Sequence, residues 1–181
     1  IRDRLGDYPT SEPQLQLRLP TERYYEEEGR AELTPRDFGI LMHRVFENAA
    51  TTDEIYMAIE AMTQDGVLDE KEAPRLRELV EKALADPVTA EWFGGRWQVV
   101  RNENEIILPG SGTTRRPDRV MTDGERAVVV DYKFGDRETA RHRKQIREYL
   151  RLLRQMGYTR TEGYLWYVRL GRTERVEEKE D

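Results

Sequence analysis

The chain predicts an α/β fold: a mixed central sheet flanked by helices, with a helical segment ahead of the strands. Three features of the sequence predict it. Between residues 34 and 93 apolar side chains recur at the spacing of amphipathic helices. From 96 to 178 they instead alternate, or gather in β-branched blocks such as Val128-Val129-Val130. One long amphipathic stretch, 138–156, interrupts those strands. An order of helices, three strands, a helix and two strands fits a mixed sheet covered by helices. With 181 residues, one domain is expected, large enough to bury a real core.

Residues 1–33 carry Pro9, Pro13, Pro20 and the acidic run Glu26-Glu27-Glu28. They read as a linker, in which the alternating Leu15, Leu17 and Leu19 would suit a short docked strand. The folded domain is expected over 34–181, with a helical part at 34–93 and a sheet core at 96–178. Thr34-Pro35-Arg36-Asp37 starts the first helix: threonine caps, proline suits the first turn, and Asp37 stands where a capping-box acid would. Further helices are expected over 53–62, 71–84 and 88–93, ended by Asp65-Gly66, Asp86-Pro87 and Gly94-Gly95. Strands follow at 96–108, 116–121 and 126–134, the last two joined by a turn at Thr122-Asp123-Gly124-Glu125. The helix 138–156 closes at Gly157. Strands at 163–170 and 173–176 form a hairpin around Gly171-Arg172.

Composition excludes several classes. There is no cysteine, so no disulfide, zinc–cysteine site or cysteine-bound iron–sulfur cluster exists. No stretch approaches the roughly 20 apolar residues of a membrane span, and no signal peptide is visible. With the lack of cysteine this leads us to expect a cytoplasmic protein. The start at Ile1 rather than Met leads us to expect a segment of a longer one. Charged residues make up 36% and the net charge is −6, whereas nucleic-acid modules are usually basic. The distribution is uneven. Acids gather in 22–32, 65–72 and 174–181, while between Arg137 and Arg154 there are seven Arg or Lys against two Glu.

Chemistry is proposed by two segments, Arg116-Pro117-Asp118-Arg119 and Val130-Asp131-Tyr132-Lys133. Two carboxylates at or near the ends of neighbouring strands can hold a hard divalent cation, which takes oxygen ligands and often only one or two carboxylates. Lys133 lies two residues beyond Asp131, so its side chain leaves the same face of the strand. There it can stabilise charge developing on a phosphate or orient a water. Phosphodiester hydrolysis needs such a set. Taken alone, an Asp near a strand end is usually a turn residue, and a lone helical histidine such as His43 is usually structural. Trp92, Trp97 and Trp166 are better read as packing than as base-stacking platforms. Arg143, Arg147, Arg151 and Arg154 make a helical stripe that reads better as a solvated face than as a phosphate contact. Arg115, Arg116 and Arg119 lie closer to the carboxylates and are the expected DNA-backbone contacts.

Four segments in order resemble the nuclease domain of the RecB/AddA family, within the PD-(D/E)xK superfamily. Gly39-x-x-x-His43-x-x-x-Glu47 resembles the helical histidine motif. Glu105-Ile106-Ile107 stands where the family often has a Glu before two apolar residues. Pro117-Asp118 with Asp131-Tyr132-Lys133 resembles the core motif, and Gln145-x-x-x-Tyr149 the motif of the following helix. The resemblance spans about residues 37 to 170 and implies a restriction-endonuclease-like core. It implies that His43, Asp118 and Asp131 bind Mg²⁺ or Mn²⁺, with the Tyr132 backbone carbonyl as a further oxygen and Glu105 as a supporting residue acting through water. Lys133 would be the catalytic lysine, and Gln145 and Tyr149 would line the site or contact the DNA backbone. Pro117 departs from many helicase-linked relatives, which have an apolar or glycine-rich strand there; proline suits an edge or bulged strand.

The expectation is therefore a metal-dependent DNA nuclease domain, and the resemblance alone implies its partners and wider role. These are an attached helicase motor, an AddB/RecC-like subunit, and a role at double-strand breaks, by exonuclease action. The chain has no Gly-x-x-x-x-Gly-Lys-Ser/Thr loop, so no ATP site is expected in it. Two alternatives stay open: a non-catalytic DNA-binding or scaffold module that kept the fold, and a stand-alone phage or restriction-type nuclease.

Overall fold

The computed structural model describes residues 35–103, 106–107, 114–135 and 139–178, all within the unit Leu33–Asp181. The expected linker 1–33, the cap Thr34 and the candidate Glu105 lie outside the described residues.

Four helices come first: α1 (Pro35–Glu47), α2 (Thr52–Gln64), α3 (Ala73–Leu84) and α4 (Pro87–Trp92). The start of α2 is fixed by a capping box that the sequence reading overlooked. The Thr51 hydroxyl accepts from the Glu54 N–H, and the Glu54 carboxylate accepts from the Thr51 N–H. Asp86 caps α4 through the Val88 N–H at 2.8 Å, and Pro87 fills the first turn.

The strands are β1 (Val99–Asn102), β2 (Ile106–Ile107), β3 (Thr114–Arg115), β4 (Arg119–Asp123), β5 (Arg126–Lys133), β6 (Arg160–Tyr167) and β7 (Arg172–Arg175), with α5 (Ala140–Gln155) between β5 and β6. A five-stranded sheet runs in the order β1-β4-β5-β6-β7, and β2 pairs only with β3. The neighbours are antiparallel except β5 and β6, which are parallel. A parallel pair needs a crossover, and α5 supplies it. The mixed sheet flanked by helices is the architecture the sequence predicts.

Several bounds differ from expectation for physical reasons. The strand expected over 96–108 breaks at Glu103, whose φ of 51° cannot continue a strand. The strand expected from 116 begins only at Arg119, because Pro117 has no N–H to give to a ladder. The β4–β5 turn is the two residues Gly124-Glu125, with Asp123 paired to Arg126 and Gly124 at φ 57°. Glycine at the first turn position suits a type II′ hairpin. The last expected hairpin forms, as β6 paired antiparallel with β7, but β6 starts three residues earlier and Val168–Leu170 make a 3₁₀ turn in the connection rather than the end of the strand.

Alternation along β5 divides the core in two. Val128, Val130 and Tyr132 join Met121 and Trp166 against α1–α4. Ala127 and Val129 face α5, packing with Ile146, Tyr149, Leu150 and Leu153. Of the tryptophans, Trp92 and Trp166 are buried core, while Trp97 lies under the Arg126 guanidinium at 4.8 Å. Met156, at the C-cap of α5, is 55% exposed. No helix among the described residues is long and apolar enough to cross a membrane.

Gly163 lets α5 lie close on β6. A Cβ there would stand 2.4 Å from Ile146 Cγ2 and 3.1 Å from Leu150 Cδ1. The adjoining Gln145 and the following Tyr149 are thereby carried down towards the end of β5.

Candidate active site

The β5 alternation that sends Val129 towards α5 sends Asp131 and Lys133 to the same face. Across the β4–β5 pair, Arg119 stands opposite Val130. One residue earlier, Asp118 therefore faces Asp131, from the bend ahead of β4. The Asp118 Oδ2 accepts the Tyr132 N–H at 2.5 Å, and the Asp118 carbonyl accepts the Glu103 N–H at 2.9 Å. Asp131 and Lys133 thus stand on a strand, and Asp118, just outside the sheet, is held to it by backbone hydrogen bonds.

Asp131 is 2% exposed. Its Oδ1 accepts from Gln145 Nε2 at 3.5 Å, and the same amide donates to the Tyr149 hydroxyl at 2.9 Å. The Lys133 ammonium forms an ion pair with Asp131 Oδ2, although that oxygen has no aligned hydrogen bond. Lys133 keeps 20% of its side chain exposed, so a substrate can reach it. Burial, and then the charge of Asp131, push the Asp118 carboxyl up to about 7. Burial also raises the Tyr149 hydroxyl to about 12.

His43 reaches the rim from α1. Its ring meets Phe134 edge-on at 4.8 Å, and its Nδ1 is 3.7 Å from Glu103 Oε1. Burial lowers its pKa, against the pull of Glu103. Glu103 is the site residue that sequence reasoning missed. It pairs with Arg116 and adds negative charge beside Asp118. Its signal was there to be found: the polar run Asn102-Glu103-Asn104 interrupts an otherwise strand-like stretch.

The expected DNA contacts separate. Arg116 is largely exposed and donates to the Glu103 carbonyl at 2.8 Å. Arg115 pairs with Glu148 at 3.1 Å. Arg119 does not meet the expectation: it is fully buried and turned to the helical side, so it cannot reach a phosphate. On α5, Arg143 and Arg154 pair with Glu174 and Glu178, and Arg147 donates to the Glu177 carbonyl at 3.2 Å.

Whether these residues suit a divalent cation can be judged from their chemistry. Two hard oxygen donors share a site in which the charge of one opposes ionisation of the other, and a cation relieves that conflict. Among the described residues no three His, Asp or Glu side chains converge to form a cage. His43 does not complete such a cage with Asp118 and Asp131 in this conformation.

A family model for the PD-(D/E)XK nuclease superfamily matches residues 14–181. The chain belongs to that superfamily. PD-(D/E)XK proteins generally hydrolyse phosphodiester bonds and typically use Mg²⁺ or Mn²⁺. This PD-(D/E)XK chain carries Pro117-Asp118 and, further on, Asp131-Tyr132-Lys133. No curated protein matches it.

Proposed function

We propose that this chain is the Mg²⁺- or Mn²⁺-dependent DNA nuclease domain of a RecB/AddA-like helicase–nuclease. In this reading it degrades DNA at double-strand breaks, with an attached motor and an AddB/RecC-like subunit delivering the strand. The observation that carries the catalytic part is the opposed Asp118 and Asp131 with Lys133 on the same face. The helicase linkage rests on the four ordered motifs and on the net charge of −6, which suits a domain that receives DNA rather than capturing it.

Asp118 and Asp131 would hold the cation, with His43, the Tyr132 carbonyl and Glu105 as the supplementary donors. The bound ion would supply Lewis acidity at the phosphate and a more acidic water. The residues do the rest. Asp118 gives up the proton that burial and Asp131 favour. Gln145, held by Tyr149, fixes the orientation of the Asp131 carboxylate. Lys133 carries a fixed positive charge to offset the negative charge gathered during in-line attack by water. Arg115 and Arg116 would contact the DNA backbone.

The test is incubation of the domain with linear single-stranded DNA and Mn²⁺ or Mg²⁺, beside an EDTA control and Lys133→Ala. Metal-dependent degradation lost in the variant supports the reading. Equal degradation by Lys133→Ala overturns the role given to the lysine. Absence of both cleavage and metal binding returns the chain to the class of non-catalytic modules.

A further inference from the structure

Arg119 is a buried cation with no ion pair among the described residues. Its Nη1 donates to the Ala49 carbonyl at 2.6 Å and to Asn102 Oδ1 at 3.1 Å. Its Nη2 donates to the Ala50 carbonyl at 2.8 Å and to the Trp92 carbonyl at 2.7 Å. Asn102 Nδ2 in turn donates to the Ala49 carbonyl at 3.1 Å. The guanidinium lies 4.0 Å over the Phe93 ring. Burying a charge costs several kcal/mol even after relaxation, by order of magnitude. A residue that merely filled this space would be aliphatic. What arginine adds is a rigid fork of donors that ties several carbonyls at fixed angles, here carbonyls just beyond α1 and at the last residue of α4, where helix dipoles place negative charge.

Each arm of the clamp adjoins a residue of the site. Ala49 and Ala50 end the segment that carries His43 on α1. Asn102 precedes Glu103, and Arg119 follows Asp118 directly. Tyr132, whose hydroxyl is buried without a hydrogen-bond partner, uses its own N–H to hold Asp118. Movement of the fork would shift α1 along its axis relative to β4. We propose that Arg119 is a positioning residue: it sets the register of α1, and so of His43, against Asp118.

The proposal rests on the nuclease reading only for its second test. The first needs no metal. In the folded apo-protein the His43–Phe134 ring contact gives nuclear Overhauser effects between the two rings. Arg119→Lys, whose single nitrogen cannot serve four acceptors, is expected to lose or weaken them while still showing a cooperative melt. Asn102→Ala loosens the same clamp from a half-buried position and is the milder variant if Arg119→Lys does not fold. Unchanged ring contacts in the folded variant overturn the proposal. The second test is Mn²⁺ affinity by calorimetry, with and without His43→Ala. Loss of an outer partner of a ligand typically weakens metal binding by about 10–100-fold. That loss is expected where His43 is present, and less than about twofold where it is absent. An equal loss in both backgrounds would mean general loosening and overturns positioning through His43. Should the wild-type domain bind no Mn²⁺, the nuclease reading fails, and the ring contacts still decide the role of Arg119.

Discussion

Gly163→Ala tests how the site is held over the sheet. A Cβ at position 163 would stand 2.4 Å from Ile146 Cγ2, and 3.1 and 3.2 Å from the two Leu150 methyls. Carbon atoms pack best at about 3.5–4.0 Å, so α5 must lift by about 1 Å or Ile146 must leave its rotamer. Such overpacking typically costs about 1–3 kcal/mol. Without the clash, alanine would be the better strand residue, because glycine loses more backbone entropy by roughly 0.5–1 kcal/mol. The sign of the effect therefore decides the matter. Function should suffer as well. Gln145 adjoins Ile146, and its 3.5 Å contact with Asp131 has no slack. A displacement of about 1 Å near chemistry can cost on the order of a hundredfold in rate. Urea melts would give the stability change, and initial rates on single-stranded DNA with Mn²⁺ the activity. Gly163→Ala/Ile146→Ala, which removes the clashing methyl, should recover part of both losses. An alanine variant as stable as the wild type would refute the reasoning, because it would mean α5 does not rest on position 163.

Further outcomes follow from the site. Asp118 has a folded pKa raised to about 7, above the usual value of about 3.9. The folded state therefore keeps a proton that the unfolded state loses. Its contribution to apo-protein stability is full below about pH 4, declines as pH rises to about 7 and is gone above that, a change of a few kcal/mol at most in order of magnitude. Asp118→Asn should flatten that slope in urea melts taken from pH 4 to 8. In the wild type, Mn²⁺ affinity should rise through pH 6–8 as this proton is displaced, with proton release visible as buffer-dependent heat in calorimetry. Lys133→Ala should lower the melting temperature of the apo-protein, because it leaves the buried Asp131 carboxylate without its cation, and well below that melt it should reduce cleavage by at least about a hundredfold, the range seen when one charge-stabilising donor is removed. Thr51→Ala should cost about 1 kcal/mol through loss of the α2 capping box, with cleavage at low temperature unaffected.

What could be read from the sequence was whatever depends on local pattern. Val128-Val129-Val130 announced β5, and the two-residue step from Asp131 to Lys133 put both on one face, as found. The pairing of Asp118 with Asp131 was less legible. It depends on the β4–β5 register, which the Gly124-Glu125 turn sets. Arg119 was misread because the run Arg115-Arg116-Pro117-Asp118-Arg119 reads as a charged turn. Only strand alternation, counted from a boundary that Pro117 shifts, turns it inward. Glu103 was passed over because its closeness to His43 depends on a left-handed residue in the middle of an apparent strand. The parallel pairing of β5 with β6 across α5 joins residues more than thirty apart, a non-local choice that periodicity alone does not encode.

The turn between β4 and β5 has a practical consequence. Asp118 and Asp131 sit at one end of that hairpin, and Gly124-Glu125 at the other. At about 3.3 Å per residue, the five residues of β4 separate them by roughly 16 Å. Because the chain contains no cysteine, a single thiol introduced at the exposed Asp123 would be chemically unique. A fluorophore or surface tether attached there would hold the molecule by the end remote from its carboxylates. Individual molecules could then be immobilised and watched along stretched DNA in one known orientation.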